Sequence, residues 1–307
     1  MIAGIDMTPL QFHDILELYE RKFGGPTRIV DSVEVISVES AVQHLNRIYL
    51  FRKSFPFLTL DGTNFANINK LSAYQPFHWE ADATFQRSFL HVLLAHYQNG
   101  FTLLRSGLDL VLEGAVLQCL SQGSLLAKHL DARLGGDLAT LQQFLLKLAS
   151  EDKTFASEMD MTSIRILDVV GRTMDYPKAS TMEKLVALQG WGILSSAGDI
   201  LDAQKIHNNL SKSAHGEFSF TDIGRTNVEN PNRVFDDPPP ILPESAEEYM
   251  AVSTETISLA IIVTINLARQ CLPPEWVDER LSLLKESELL QVANLEQVDR
   301  LLKKYVG

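Results

Sequence analysis

The chain reads as an all-α protein, a helical bundle with extra helices at its N- and C-terminal ends. Three observations predict this. Pro76 and Pro177 bracket one hundred residues without a proline, the residue that most reliably interrupts a helix. Within that stretch leucine recurs at helical spacing, and runs of Val, Ile and Thr are rare, which favours helix over strand. Capping-box spacings, a small hydroxyl residue followed three positions on by Glu or Gln, stand before several apolar runs.

Taken in order, Thr8 caps a first helix with Pro9 in its first turn and Gln11 at the capping-box position, and Gly24-Gly25-Pro26 ends it. Residues 28–38 alternate loosely through Val30, Val33 and Val35, so a short strand or extended segment is expected there. A helix follows over 40–55, stopped by Pro56. Residues 61–79 carry Gly, Asn and Pro and read as connection, with a short helix around 65–71. Asp82 opens a long central segment. Phe85, Phe89, Leu93 and His96 form one stripe, continued by Leu104, Leu108, Val111, Leu112 and Ala115, with Cys119 on the same face. Gly100 and Gly107 mark a kink or a close approach within it. Further helices are expected over 125–134, 137–148 and 162–174.

Ser180 and Glu183 start another helix running toward Ile200, with a break at Gly190-Trp191-Gly192. The helix carrying Ile206, Leu210 and Ala214 ends at Gly216. Residues 218–243, with Pro231 and Pro238-Pro239-Pro240, show no period and read as a loop or lid. Ser245 and Glu248 cap a long helix reaching Cys271. Pro273-Pro274 separates it from a helical pair over 275–286 and about 293–305. This divides the chain into an N-terminal helical extension (1–80), a bundle core (81–272) and a C-terminal pair packed on it (273–307).

Charge narrows the function classes. Lys and Arg total 27 against 39 Asp and Glu, a net charge of -12, which repels phosphate backbones and so disfavours RNA as a charge-driven partner. The two cysteines, Cys119 and Cys271, lie in apolar helical contexts and read as buried thiols of a cytoplasmic protein. The first residues, Met1 to Asp6, show neither a basic region nor an apolar core, so no export signal is expected. The apolar run 257–267 is short and interrupted by Ser258, Thr264 and Asn266, so a core helix is expected rather than a membrane span.

Two segments carry candidate chemistry. In Arg105-Ser106-Gly107-Leu108-Asp109, followed by Glu113, the three charges share one helix face at four-residue spacing. Because Leu104, Leu108, Val111 and Leu112 surround them, some are expected to turn toward a helix seam, with Arg105 paired by Asp109 or Glu113. If Arg105 is buried there, removing it costs about 2 kcal/mol or more. About a hundred residues on, Asn208-Asn209-Leu210-Ser211 precedes His215-Gly216, and His207, Ser211 and His215 are four apart. His215 is either a capping histidine at a helix C-terminus, where the dipole favours its charge, or a general base. Walker, dinucleotide and nucleophile-elbow glycine patterns are absent, as are HExxH and Glu-x-x-His, and His91 and His96 are poorly spaced for one metal, so no metal or cofactor is expected.

Over roughly residues 82–270 these two segments resemble the HEPN superfamily of helical bundles, many of which carry an Arg-x3-Glu-like helix early and a Leu-Ser-x3-His helix later. The resemblance implies an all-α bundle with the two helices adjacent. Active members are metal-independent ribonucleases with Arg, a polar residue, three more residues, then His. Aligned on His215, the Arg position here holds Leu210 and the polar position Ser211. Lys212, the nearby positive charge, points about 100° from Ser211 on a helix. The expectation is therefore a non-catalytic interaction or sensing module, with a protein partner or self-association. The competing reading is a divergent endoribonuclease of a defence or toxin system, with His215, Ser211 and Asn208 as its site and Arg105, Asp109, Glu113 and His207 as a supporting polar cluster. A third reading is a small-molecule binder built on Phe77-His78-Trp79 and the proline-rich lid.

Overall fold

The structure, a computed structural model, describes residues 25–55, 71, 73–121, 181–194, 197–234, 236 and 238–306. The helices expected over 8–24, 125–134, 137–148 and 162–174 lie outside these residues, as does that over 65–71 except Leu71. All regular elements among the described residues are helical. They are α1 (Gly25–Ile36), α2 (Val38–Ser54), α3 (Gln75–Leu93), α4 (Tyr97–Ser121), α5 (Thr181–Gly190), α6 (Ala197–Ala214), α7 (Asp222–Glu229), α8 (Pro243–Cys271), α9 (Pro274–Lys285), α10 (Glu288–Ala293) and α11 (Glu296–Val306).

The extended segment expected over 28–38 is α1 instead. Ile29, Val33 and Ile36 recur at helical spacing and pack against the core, whereas Val30 and Val35 face outward. The alternation was therefore a helix whose apolar residues fall on two faces. In α2, Ala41, His44, Ile48 and Phe51 turn inward, and the Ser37 hydroxyl accepts the Ser40 amide at 3.1 Å. Helix α3 begins seven residues before Asp82, so the stretch from Gln75 to Trp79 is helix rather than connection. Pro76 lies in its first turn, where a missing N–H costs nothing. The Gln118 side-chain oxygen accepts the amides of Ala73 and Tyr74 just before it, both at 3.1 Å.

The central segment is not one helix. The chain turns at Leu94–His96, with Ala95 at φ 58, and α4 runs back antiparallel to α3. Three glycines one heptad apart set their approach. A Cβ on Gly100 would collide with Val92, one on Gly107 with the Phe85 ring, and one on Gly114 would lie 2.5 Å from Phe77 Cβ. Gly100 and Gly107 are thus points of close helix packing, and the break falls elsewhere.

Helix α8 is the central helix. It packs on α2, α4, α6 and α11. Its 29 residues are long and apolar enough to cross a membrane, but 67% of the apolar window is buried against the rest of the fold. The expected Ser245–Glu248 cap is replaced by Glu229 of α7, whose carboxylate accepts the amides of Glu244 and Ser245 at 3.2 and 3.1 Å. The expected 218–243 lid holds α7 and two short 3-10 turns, Phe218–Phe220 and Pro231–Arg233. It is stitched to the bundle: Tyr97 Oη accepts the Leu242 amide at 2.9 Å, and Arg225 bonds Glu248 at 2.5 Å while lying over the Phe101 ring. At the C-terminus three helices replace the expected pair, because the Ser287 hydroxyl accepts the Leu290 amide and Asn294, left-handed at φ 50, ends α10. Cys119 is a buried free thiol and Cys271 a partly buried one.

Two histidines sit fully inside this core. His44 lies edge-on to Phe89, and His78 stacks on Phe51 and Phe55. Burial pushes each down to about 3, with Arg47 adding to the effect at His44 and Arg52 at His78. Both are neutral in the fold, but in the unfolded chain they titrate near 6.5. Between those values the unfolded chain binds more protons, so stability is complete above about 6.5 and falls as the pH drops toward 3. Each histidine contributes a slope of up to about 1.4 kcal/mol per pH unit. Urea unfolding at pH 7, 6 and 5 should therefore show a steepening loss, and His78→Phe should roughly halve that part of the slope. A pH-independent midpoint over this range would contradict the assignment.

Candidate functional site

The two segments singled out in the sequence do face each other. Helix α4 presents Arg105, Asp109 and Glu113 one turn apart, and α6 packs beside it carrying His207 and Ser211. Helix α5 closes the seam with Thr181 and Lys184.

The result is a polar ladder. Asp109 is its centre: its Oδ2 lies 3.5 Å from Arg105 Nε, and its Oδ1 lies 3.1 Å from His207 Nε2. His207 Nε2 also lies 3.1 Å from the Thr181 hydroxyl, and its Nδ1 lies 3.4 Å from Ser211 Oγ. One turn further along α4, Glu113 pairs with Lys184 at 2.5 Å. His207 is buried, while Asp109 keeps 38% of its side chain exposed. The local cause is periodicity. Positions four apart on two adjacent helices put a carboxylate from one opposite an imidazole from the other, within an otherwise apolar seam of Leu108, Leu112 and Leu210.

The chain of groups Ser211, His207, Asp109 has the order of a nucleophilic triad, but its hydrogens run the wrong way for one. Ser211 Oγ donates to the His207 carbonyl on its own helix at 2.7 Å, so its proton is not offered to the imidazole. Ser211 lies inside helix α6, whose backbone amides are taken up by the helix's own hydrogen bonds and are not aimed at an oxyanion. The ladder orients helices α4, α5 and α6.

The remaining predicted residues lie apart from it. Asn208 is exposed and accepts from Gln204 Nε2 at 2.7 Å. His215 lies beyond the end of α6, exposed, just before Gly216 at φ 67. Lys212 places its ammonium 5.2 Å from the centre of the Phe220 ring. Leu210 is wholly buried. Phe77, His78 and Trp79 do not share a wall, since successive residues of α3 diverge: His78 is in the core and Trp79 is 53% exposed. Among the described residues no group of His, Cys, Asp and Glu is arranged to hold a metal.

Thr181 and Lys184 were not singled out from sequence. Their signal was weak, because nothing in a single sequence says which of several short helices returns beside α4. A cavity of about 520 Å³ was equally invisible. It lies between α6, α8 and α11, with Ile206, Leu259 and Leu301 as apolar wall and Lys205, Glu255 and Arg300 at its rim. It includes none of the ladder residues.

Comparison with known proteins adds no family: no family model, no curated protein and no solved structure matches the chain.

The geometry ranks the ladder's members. Arg105 is partly buried, at 23% side-chain exposure with its Nε inside the seam, and it reaches a carboxylate that keeps 38% exposure, so the pair is partly hydrated. Arg105→Ala should cost less than about 1 kcal/mol, the range of exposed pairs. His207→Ala should cost about 2–3 kcal/mol, because it empties a buried ring site and removes the partner of Asp109 and Thr181. Denaturant titrations of both variants test the order, and an Arg105 effect exceeding that of His207 would reverse it.

Proposed function

We propose that this chain is a non-catalytic interaction or sensing module of HEPN-like type. The observation that supports this most is the setting of the Leu210–His215 segment. Where the resembled ribonucleases place Arg, this chain has Leu210, turned wholly into the core. A cation there would be buried rather than aimed at a phosphate, and Lys212 is engaged with Phe220. Among the described residues His215 makes no ion pair that would help it stabilise a pentavalent phosphate. The net charge of -12 works against RNA capture in the same direction.

The exposure of His215 favours one second reading, a divergent metal-independent endoribonuclease, since single-stranded RNA could reach it. The two readings separate in one assay. Wild type and His215→Ala are incubated with single-stranded RNA in the presence of a chelator. The interaction reading expects no turnover from either. Robust cleavage by the wild type that disappears in His215→Ala would replace it with the nuclease.

A further inference from the structure

We propose that the outward face of α2 is a homodimer interface, on which a second copy of this chain packs antiparallel about a two-fold axis near Leu45. The inward face of α2 already carries its share of the core. Its outward face is apolar too: Val38, Val42, Leu45 and Tyr49 are 64%, 48%, 51% and 43% exposed. Their spacing of four, three and four residues is that of a helix-pairing seam. A helix apolar on two opposite faces is normally covered on both, and a continuous exposed stripe of this kind marks an interaction surface.

Charge identifies the occupant. Helix α2 is acidic at its start, with Glu39, and basic at its end, with Arg52 and Lys53. Arg52 reaches Asp82 at 2.7 Å and is spoken for. Glu39 and Lys53 are exposed, and Lys53 lies over the Tyr49 ring. Reversing α2 on itself brings Leu45 beside Leu45, Val42 beside Tyr49, and Glu39 beside Lys53, twice over by symmetry. A parallel copy would instead place like charges together along the whole stripe. The surface is therefore complementary to itself in one orientation, as a two-fold interface must be. Stable interfaces bury about 1,200–2,000 Å² in total, and four half-exposed apolar side chains per protomer fall below that range, so a weak dimer with a dissociation constant of about 10 µM is expected.

This deepens the interaction reading by naming a partner, and its test is independent of ribonuclease activity, so either can fail alone. Sedimentation equilibrium of the full chain is measured from about 1 to 100 µM, spanning the expected constant, with circular dichroism confirming that each variant folds. Wild type should dimerise. Leu45→Glu, which sets two carboxylates facing across the axis, should be monomeric throughout. Glu39→Lys should weaken the dimer about tenfold, and adding Lys53→Glu in the same chain should restore it. A monomeric wild type, which would mean that the chain's own residues or a different protein cover the stripe, overturns the proposal. So does a dimer that ignores Leu45→Glu, or a charge swap that fails to restore association.

Discussion

The close approach of α3 and α4 is the constraint on which the rest of the bundle depends. Glycines at 100, 107 and 114 remove the side chains that would hold the two helices apart, and Val92, Phe85 and Phe77 fill the space. Each glycine weakens α4 as an isolated helix by about 1 kcal/mol relative to alanine. Three of them at heptad spacing therefore make sense only if packing returns more. The Phe85 ring that lies against Gly107 also meets Phe51 of α2 edge-on, and Phe51 in turn stacks on His78. The glycine seam, the aromatic core and the acid-sensitive histidines are thus one contiguous object.

Helix α4 serves four neighbours at once. Its glycine stripe meets α3, its Arg105–Asp109–Glu113 stripe meets α6 and α5, and it also packs on the central helix α8. A shift of α4 toward or away from α3 would move Asp109 relative to His207. The polar ladder is in this sense downstream of the glycine packing. Buried hydroxyls lock the same arrangement: Ser88 donates to the Gly100 carbonyl at 2.7 Å and also bonds Tyr249 of α8 at 2.7 Å, and Tyr74 bonds Thr264 of α8 at 2.6 Å. Satisfied polar groups at these depths fix one register among many that leucine packing alone would tolerate.

Much of this was legible in the sequence, and the misses have physical causes. Helical class, the C-terminal ends of α2 and α8, and the break around Gly190–Gly192 followed from period, proline and glycine. Residues 28–38 were misread because a helix with apolar residues on both faces mimics alternation over a short window. The turn at Ala95 was missed because its left-handed residue is an alanine, which carries no turn signal. Gly100 and Gly107 were noticed, but Gly114, which turns them into a heptad, was not. At the site, the facing of α4 and α6 followed from four-residue polar spacing. That His207 rather than His215 meets Asp109 did not, since both stand on the same stripe and only the length of α6 separates them.

The most direct test of this account is the stability of Gly107→Ala. Helix propensity alone predicts a gain of about 1 kcal/mol. The close-packed seam predicts a loss of about 1–3 kcal/mol, the cost of forcing a methyl group into a filled core, and a smaller loss when Phe85→Leu is introduced alongside it, because the two changes share the same space. A stabilised Gly107→Ala, or a loss that Phe85→Leu leaves untouched, would contradict the claim that this seam sets the fold.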